Sequence, residues 1–379
     1  MQDNVLKSRI GFEIELLAPK GKSRFDLADA IAKFHSGTTK RVFHPQAEPI
    51  NIPNNPIFEN LTLGFEIYSS SDELIALCLD DLTLQADLNK SISPKDNWYR
   101  IISDDSRLLQ LVACQVDAEL PITNALTKIA DLYQTTVESD SHGMKRVVDL
   151  TGQTIAIAAP LPGERERACE LVTTPIQFNH QNQLDTLLGI AKSLGFTIPS
   201  EGATHLHFEA FEFHSAHAIR NIINLFGAYD KILMALFQTN NKCIRLGEWH
   251  HSIFDLVEKP FFPILTWQKV KDEFKRLPLT KYCNYNLVNI IHEIPEKPTF
   301  EVRILPSTLD PFEITCAASV IETLLGMACS STAYGQTKPI APSKENIQEF
   351  LNTNIPNENV HQYYTERQLL VCSREDKKG

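Results

Sequence analysis

The sequence predicts an α+β chain built on a largely antiparallel sheet, and three observations carry that expectation. Runs that alternate in strand fashion, such as Ile10 to Leu17, are interleaved with runs at helical spacing, such as Phe25 to Phe34. Turn residues such as Thr151-Gly152 separate neighbouring strand-like runs, as hairpins require. The succession is irregular rather than a steady β-α-β-α rhythm, so a doubly wound fold is the weaker alternative.

The first strand (Ile10 to Leu17) and helix (Phe25 to Phe34) lead into a stretch from Lys40 to Asn60 where Pro45, Pro49, Pro53 and Pro56 disfavour both helix and central strand and predict an extended loop. Gly64 to Tyr68 and Trp98 to Ile102 read as strands, Ile122 to Val137 as a helix, and Val147 to Ala159 as a hairpin. Leu184 to Leu194 ends at a glycine C-cap, Gly195, and Ser215 is placed to cap the apolar helix Ala218 to Phe237. Between them lies the strand Thr204 to Ala210. A helix at Trp267 to Leu277, strands at Tyr285 to Ile290 and Phe300 to Leu305, and a helix at Phe312 to Ala328 follow; beyond Pro342 come one or two short helices.

With 379 residues, 43% hydrophobic and 22% charged, the chain suits one large or two ordinary globular domains and is not a mainly disordered polymer. Lys and Arg number 36 against 47 Asp and Glu, giving −11 with no long block of either sign. That balance argues against a general grip on nucleic acid or anionic membrane. The 8 cysteines are scattered, without a C-x-x-C pair and without an apolar leader ahead of Gly11, so reduced thiols in a cytoplasmic protein are expected. The longest apolar stretch, Cys316 to Cys329, is broken by Glu322, and no bilayer span is expected.

Phosphate-loop, G-x-G-x-x-G, G-x-S-x-G and H-E-x-x-H signatures are missing. Three strands instead repeat one design, with polar residues at i and i+2 on one face. Glu13 and Glu15 face away from Phe12, Ile14 and Leu16; His205, His207 and Glu209 oppose Leu206 and Phe208; Glu301 and Arg303 oppose Val302 and Ile304. An antiparallel sheet facing water explains any one strand, but a solvated face recruits Lys, Thr, Ser and Gln rather than Glu, His and Arg alone. Crowded carboxylates must protonate or find cations, which points to Mg²⁺ or Mn²⁺, with Zn²⁺ as the imidazole-favoured alternative. An arginine beside them suits a phosphate oxygen.

Glu170 lies in an apolar strand ended by Pro175 and is as readily a rim residue as a ligand. Gly163 to Arg167 reads most simply as a solvated hairpin loop, and Trp249-His250-His251 as a surface or interface pair. Lys242 and Arg245, after the long helix, reach toward a triphosphate or sit in a solvated loop. The cysteines read as buried thiols.

Gly11-Phe-Glu13-Ile-Glu15, Trp98 to Ser106, Glu170-Leu-Val-Thr-Thr-Pro175, His205-Leu-His207, Tyr282-Cys-Asn-Tyr-Asn286 and Glu301-Val-Arg303 to Asp310 occur in an order that resembles the amidoligase family. That family belongs to the glutamine synthetase and glutamate-cysteine ligase superfamily. The resemblance implies a curved antiparallel sheet backed by helices, like the glutamine synthetase catalytic domain, binding ATP and Mg²⁺ to join a carboxylate to an amine. It implies Glu13, His205 and Glu301 as ligands of the ion that bridges the terminal phosphates, and Glu15 and Glu170 as ligands of the ion nearer the acceptor. Arg303 looks like the residue that steadies the phosphoryl group. Segments of about 38–96 and 107–145 have no counterpart in the family core, so the expected organisation is a catalytic domain over 1–340 with those two insertions and a helical tail over 341–379.

The reaction so implied converts the carboxylate into an acyl phosphate, releasing ADP, before the amine attacks. His207, Glu209 and Asp105 are open as the base for the amine. The partners expected are a carboxylate and an amine, small molecule or peptide, with no nucleic acid, no membrane and no prediction of oligomeric state. A metal-dependent hydrolase using Glu13, Glu15, His205 and His207, a phosphotransferase, and a non-catalytic binding protein on the same fold are the alternatives.

Overall fold

The computed structural model describes residues 6–47, 59–103, 105–243, 245–295, 297–335 and 338–375. Its strands are β1 (Ile10–Leu17), β2 (Thr38–Ala47), β3 (Glu59–Tyr68), β4 (Leu74–Leu79), β5 (Tyr99–Ser103), β6 (Val137–Ser139), β7 (Lys145–Val148), β8 (Thr154–Pro160), β9 (Ala168–Thr173), β10 (Ala203–Glu209), β11 (Tyr285–Asn286) and β12 (Thr299–Pro306). The helices are α1 (Arg24–Phe34), α2 (Ser106–Gln115), α3 (Thr127–Leu132), α4 (His180–Ser193), α5 (Ala216–Phe237), α6 (His251–Val257), α7 (Trp267–Phe274), α8 (Val288–Ile291), α9 (Pro311–Cys329), α10 (Lys344–Asn354) and α11 (Glu358–Glu375). The α+β class is as the sequence predicts, and the strand ladders run antiparallel.

The chain forms two compact units, the first of Met1–Phe12, Pro175–Leu188 and Ala203–Gly379, the second of Glu13–Thr174 and Gly189–Gly202. Strand β1 begins in the first and continues in the second.

In the first unit β12 lies between β11 and β10. Helix α5 starts where Ser215 accepts the Ala218 amide at 3.0 Å, and its apolar length packs on α9 and β12. Phe226 of α5 meets the rings of Tyr285 and Phe300 at 4.9 and 5.1 Å. Helices α10 and α11 close on the same core through Phe350 against Tyr229 and Tyr364 against Phe237. Helix α9 has the length and apolar character of a membrane span, yet it is a mostly buried core helix, and Glu322 accepts the main-chain amides of Lys7 and Ser8.

In the second unit the order is β1-β9-β4-β3, with β2 along one edge of β3. The other edge is shared: β4 pairs with Phe65 to Tyr68 and β5 with Glu59 to Thr62, after which β8, β7 and β6 follow. The sheet therefore forks at β3. The fork leaves the Leu63 carbonyl of β3 without a strand partner on that side, and Arg24 meets that need. Fully buried, it donates Nε to Leu63 at 2.8 Å and Nη1 to the carbonyls of Arg165 and Ala168 at 3.0 Å. A second core of Leu61, Leu63, Tyr99 and Ile101 is covered by Leu109, Val112 and Ile129 from α2 and α3.

Four local expectations are corrected. The stretch from Lys40 is not a loop up to Ala47 but the edge strand β2, where Pro45 is tolerated because only one side needs ladder bonds; Pro49, Pro53 and Pro56 lie outside the described residues. Ile122 to Val137 supplies only the six-residue α3 as α-helix. The strand expected at Tyr285 to Ile290 stops after Asn286, whose Oδ1 accepts the Val288 amide at 2.8 Å and turns the chain into α8. Gly163 to Arg167 is no solvated hairpin: Glu164, Arg165 and Arg167 are buried, with Glu164 holding Arg167 at 2.5 Å and accepting the Asn89 amide at 3.1 Å. Alternating charge there reflects internal pairing, which local sequence does not distinguish from hydration.

Candidate functional site

In the second unit, β1 turns Glu13 and Glu15 to one face, and the β1–β9 register sets Glu15 directly opposite Glu170. Strand β4 pairs Leu79 with Glu170, so the residues that follow β4 arrive beside the two glutamates. One of them is Asp81. Ligand oxygens of Glu15, Asp81 and Glu170 lie within 4.8 Å of one another, and Glu13 and Glu170 also approach within that distance. Glu13, Glu15 and Asp81 are buried and Glu170 is half-buried.

Asp81 is held from both sides. Its own Oδ1 accepts the Thr83 amide at 2.7 Å, and Arg165 donates Nη2 to its carbonyl. Arg165 also pairs with Asp80 at 2.7 Å, and Arg24 stands 3.6 Å from the same carboxylate. Burial lowers the Arg24 pKa, Asp80 works against that, and the like charge of Arg165 adds to it. From β2, Gln46 donates to the Asp80 carbonyl and accepts the Leu82 amide at 2.9 Å.

The donor set suits a hard cation. Carboxylates gathered in a largely buried place repel one another when ionised, and oxygen-only ligation favours Mg²⁺, Mn²⁺ or Ca²⁺. A spread of up to 4.8 Å is about twice a metal–oxygen bond of 2.0–2.6 Å.

In the first unit His207 lies opposite Glu301, and a register shift between Thr204 and Leu206 leaves two residues of β12, Arg303 and Ile304, against the single His205. Such a bulge re-aims side chains. The Glu301 carboxylate is 3.8 Å from His205 Nδ1 and 4.0 Å from His207 Nε2, and Arg303 Nη1 donates to it at 2.5 Å. All four side chains are buried. Asn286 donates Nδ2 to the other Glu301 oxygen at 2.7 Å, and Thr299 Oγ1 sits 3.1 Å from His207 Nδ1.

Behind these groups Asn284 accepts the Arg303 amide at 3.0 Å and donates its own side chain to Asp230 at 2.8 Å. The Tyr285 hydroxyl is pushed well above its ordinary range by burial, with the charge of Asp230 adding to it. Burial pushes the Cys283 thiol up to about 12 against the pull of Arg303, which leaves no thiolate nucleophile there at neutral pH.

The remaining expected residues have other surroundings. Asp105 caps α2, accepting the amides of Arg107 and Leu108 and pairing with the Arg107 side chain at 3.0 Å. Arg107 holds its carboxyl at about 2, so it is a weak base. Glu209 pairs with Arg9 at 3.6 Å on partly exposed surface. Lys242 is exposed in a turn, and the Arg245 guanidinium lies 5.1 Å from the Tyr282 ring. Asp81 is not among the residues the sequence singles out, because it falls within the expected insertion at about 38–96; the Asp80-Asp81 dyad straight after an apolar strand is the one local signal for it. Asn286 stands in the Tyr282 to Asn286 motif, but its bond to Glu301 is a relation between strands that the motif does not reveal.

A family model described as "Putative amidoligase enzyme" matches residues 6–324. The chain therefore belongs to the amidoligase family, whose described activity is that of an amide-bond-forming ligase. No curated protein matches the chain at a significant level.

Proposed function

We propose that the protein is an ATP-dependent carboxylate–amine ligase with a glutamine synthetase-like catalytic fold, acting through an acyl phosphate. The observation that carries this reading is the carboxylate cluster Glu15–Asp81–Glu170 in a chain of the amidoligase family, since such a group suits a cradle for divalent cations. Glu13, Glu15, Asp81, Glu170, His205 and Glu301 are the proposed metal ligands. Bound Mg²⁺ or Mn²⁺ would supply positive charge against the nucleotide's phosphates.

A carboxylate oxygen of the acid substrate attacks the γ-phosphorus and ADP departs, giving the acyl phosphate. Arg303 stabilises the transferring phosphoryl group, and Lys242 and Arg245 attract the nucleotide's negative charge. The amine then attacks the acyl carbon, loses a proton, and inorganic phosphate leaves. His207, oriented by Thr299, serves as the acceptor of that proton, in a base role for which Asp105 is too acidic.

Incubation with ATP, Mg²⁺, a panel of carboxylic acids and hydroxylamine tests the proposal. Hydroxamate and ADP should accumulate together. AMP as the only nucleotide product would exclude an acyl phosphate, and turnover of an amide without any nucleotide would favour the hydrolase reading.

A further inference from the structure

The second unit contains another cavity, on the opposite face of its sheet from the carboxylate cluster. Phe65 of β3 pairs with Cys78, Cys78 with Leu171, and Leu171 with Ile14, so Phe65 faces away from Glu13 and Glu15. Arg41 is its partner across β2. A cleft of about 450 Å³ opens beside them, within the roughly 300–1,000 Å³ of small-molecule sites.

Its wall is aromatic. Phe25 and Phe65 have ring centroids 5.0 Å apart, and Phe65 and Trp98 5.7 Å. Phe25 keeps 41% of its surface exposed, an uncovered ring at the mouth. Two cations line the same space: Arg41, and Lys95, whose Nζ lies 6.0 Å from the Trp98 ring.

The acids that line the cleft, Asp26 and Glu119, each accept a main-chain amide. Asp26 closes the cap of α1, accepting both the amide and the hydroxyl of Ser23 at 2.7 Å, so the helix terminus needs no external anion. Glu119 accepts the main-chain amide of Arg41 at 3.0 Å. The Arg41 guanidinium gives Nη2 to the Asn97 carbonyl, while its buried Nε has no hydrogen-bond acceptor among the described residues. The Arg41 side chain lines the cleft and brings its positive charge to it.

We infer that this cleft binds a small aromatic carboxylic acid, with the carboxylate between the Arg41 guanidinium and Lys95 and the ring against Phe25 and Phe65. Charge-assisted bonds fix the carboxylate, and the aromatic wall selects a flat apolar body. The site is separate from the carboxylate cluster and requires no metal.

The test is titration of the full chain with N-acetyl-L-phenylalanine in EDTA, followed by calorimetry and by tryptophan fluorescence. Saturable binding is expected, weaker by about tenfold or more for N-acetyl-L-phenylalaninamide, for Arg41→Met and for Lys95→Met, and unchanged for Asp81→Asn. Equal binding of acid and amide would overturn the inference, as would the absence of saturable binding. Should Arg41→Met fail to fold, Lys95→Met decides: wild-type affinity in that variant contradicts the assignment.

Discussion

Glu15 and Glu170 face each other directly across the β1–β9 ladder, two like charges in cross-strand register within a largely buried place. Facing like charges cost a sheet about 0.2–1 kcal/mol. Glu170→Gln should therefore raise the melting temperature of metal-free protein while abolishing most of the further rise that Mn²⁺ gives the wild type. Thermal unfolding with EDTA and with Mn²⁺ reads both effects; a variant that still gains as much from Mn²⁺ as the wild type would remove Glu170 from the ligands.

Adjacent aspartates should behave differently. Asp80 pairs with both Arg24 and Arg165 beside the fork of the sheet, and removing one partner of a buried ion pair costs about 3–5 kcal/mol. Asp80→Asn is expected to lose stability on that scale in urea unfolding. Asp81→Asn should leave the fold near wild type and weaken cation binding. Equal destabilisation by both would mean that Asp81 serves the fold rather than the ion.

Asn286 orients Glu301 through one hydrogen bond to a charged oxygen. Bonds of that type are worth about 1.5–3 kcal/mol, so Asn286→Ala should lower kcat/KM by roughly ten- to a hundredfold with the fold retained. Hydroxamate formation measures it. Unchanged kinetics would reduce Asn286 to a turn residue for α8.

Asp105 separates a structural role from a catalytic one. Its folded pKa of about 2 lies below the unfolded carboxyl value of about 3.9, so the cap contributes fully above that value and is lost as pH falls toward 2. Asp105→Ala should lower the melting temperature at neutral pH, converge with the wild type in acid, and retain turnover. Loss of activity in a folded Asp105→Ala protein would return it to the catalytic group.

Much of this was legible in the chain because period-two alternation and helix caps are local. The facing of Glu13 with Glu15 and of His205 with His207 followed from strand geometry, and Ser215 and Gly195 marked helix ends directly. What escaped depends on distant pairing. The fork at β3 cannot be read from Gly64 to Tyr68 alone, and without it neither the burial of Arg24 and Arg165 nor the arrival of Asp81 beside Glu170 is visible. The β12 bulge at Arg303 is likewise a relation between two strands.

Direct binding of Mn²⁺, followed by electron paramagnetic resonance on the full chain, tests the central claim most closely. The wild type should take up the ion, and Asp81→Asn and Glu15→Gln should each bind about tenfold more weakly or worse. Identical binding in all three proteins, or none in the folded wild type, would contradict it.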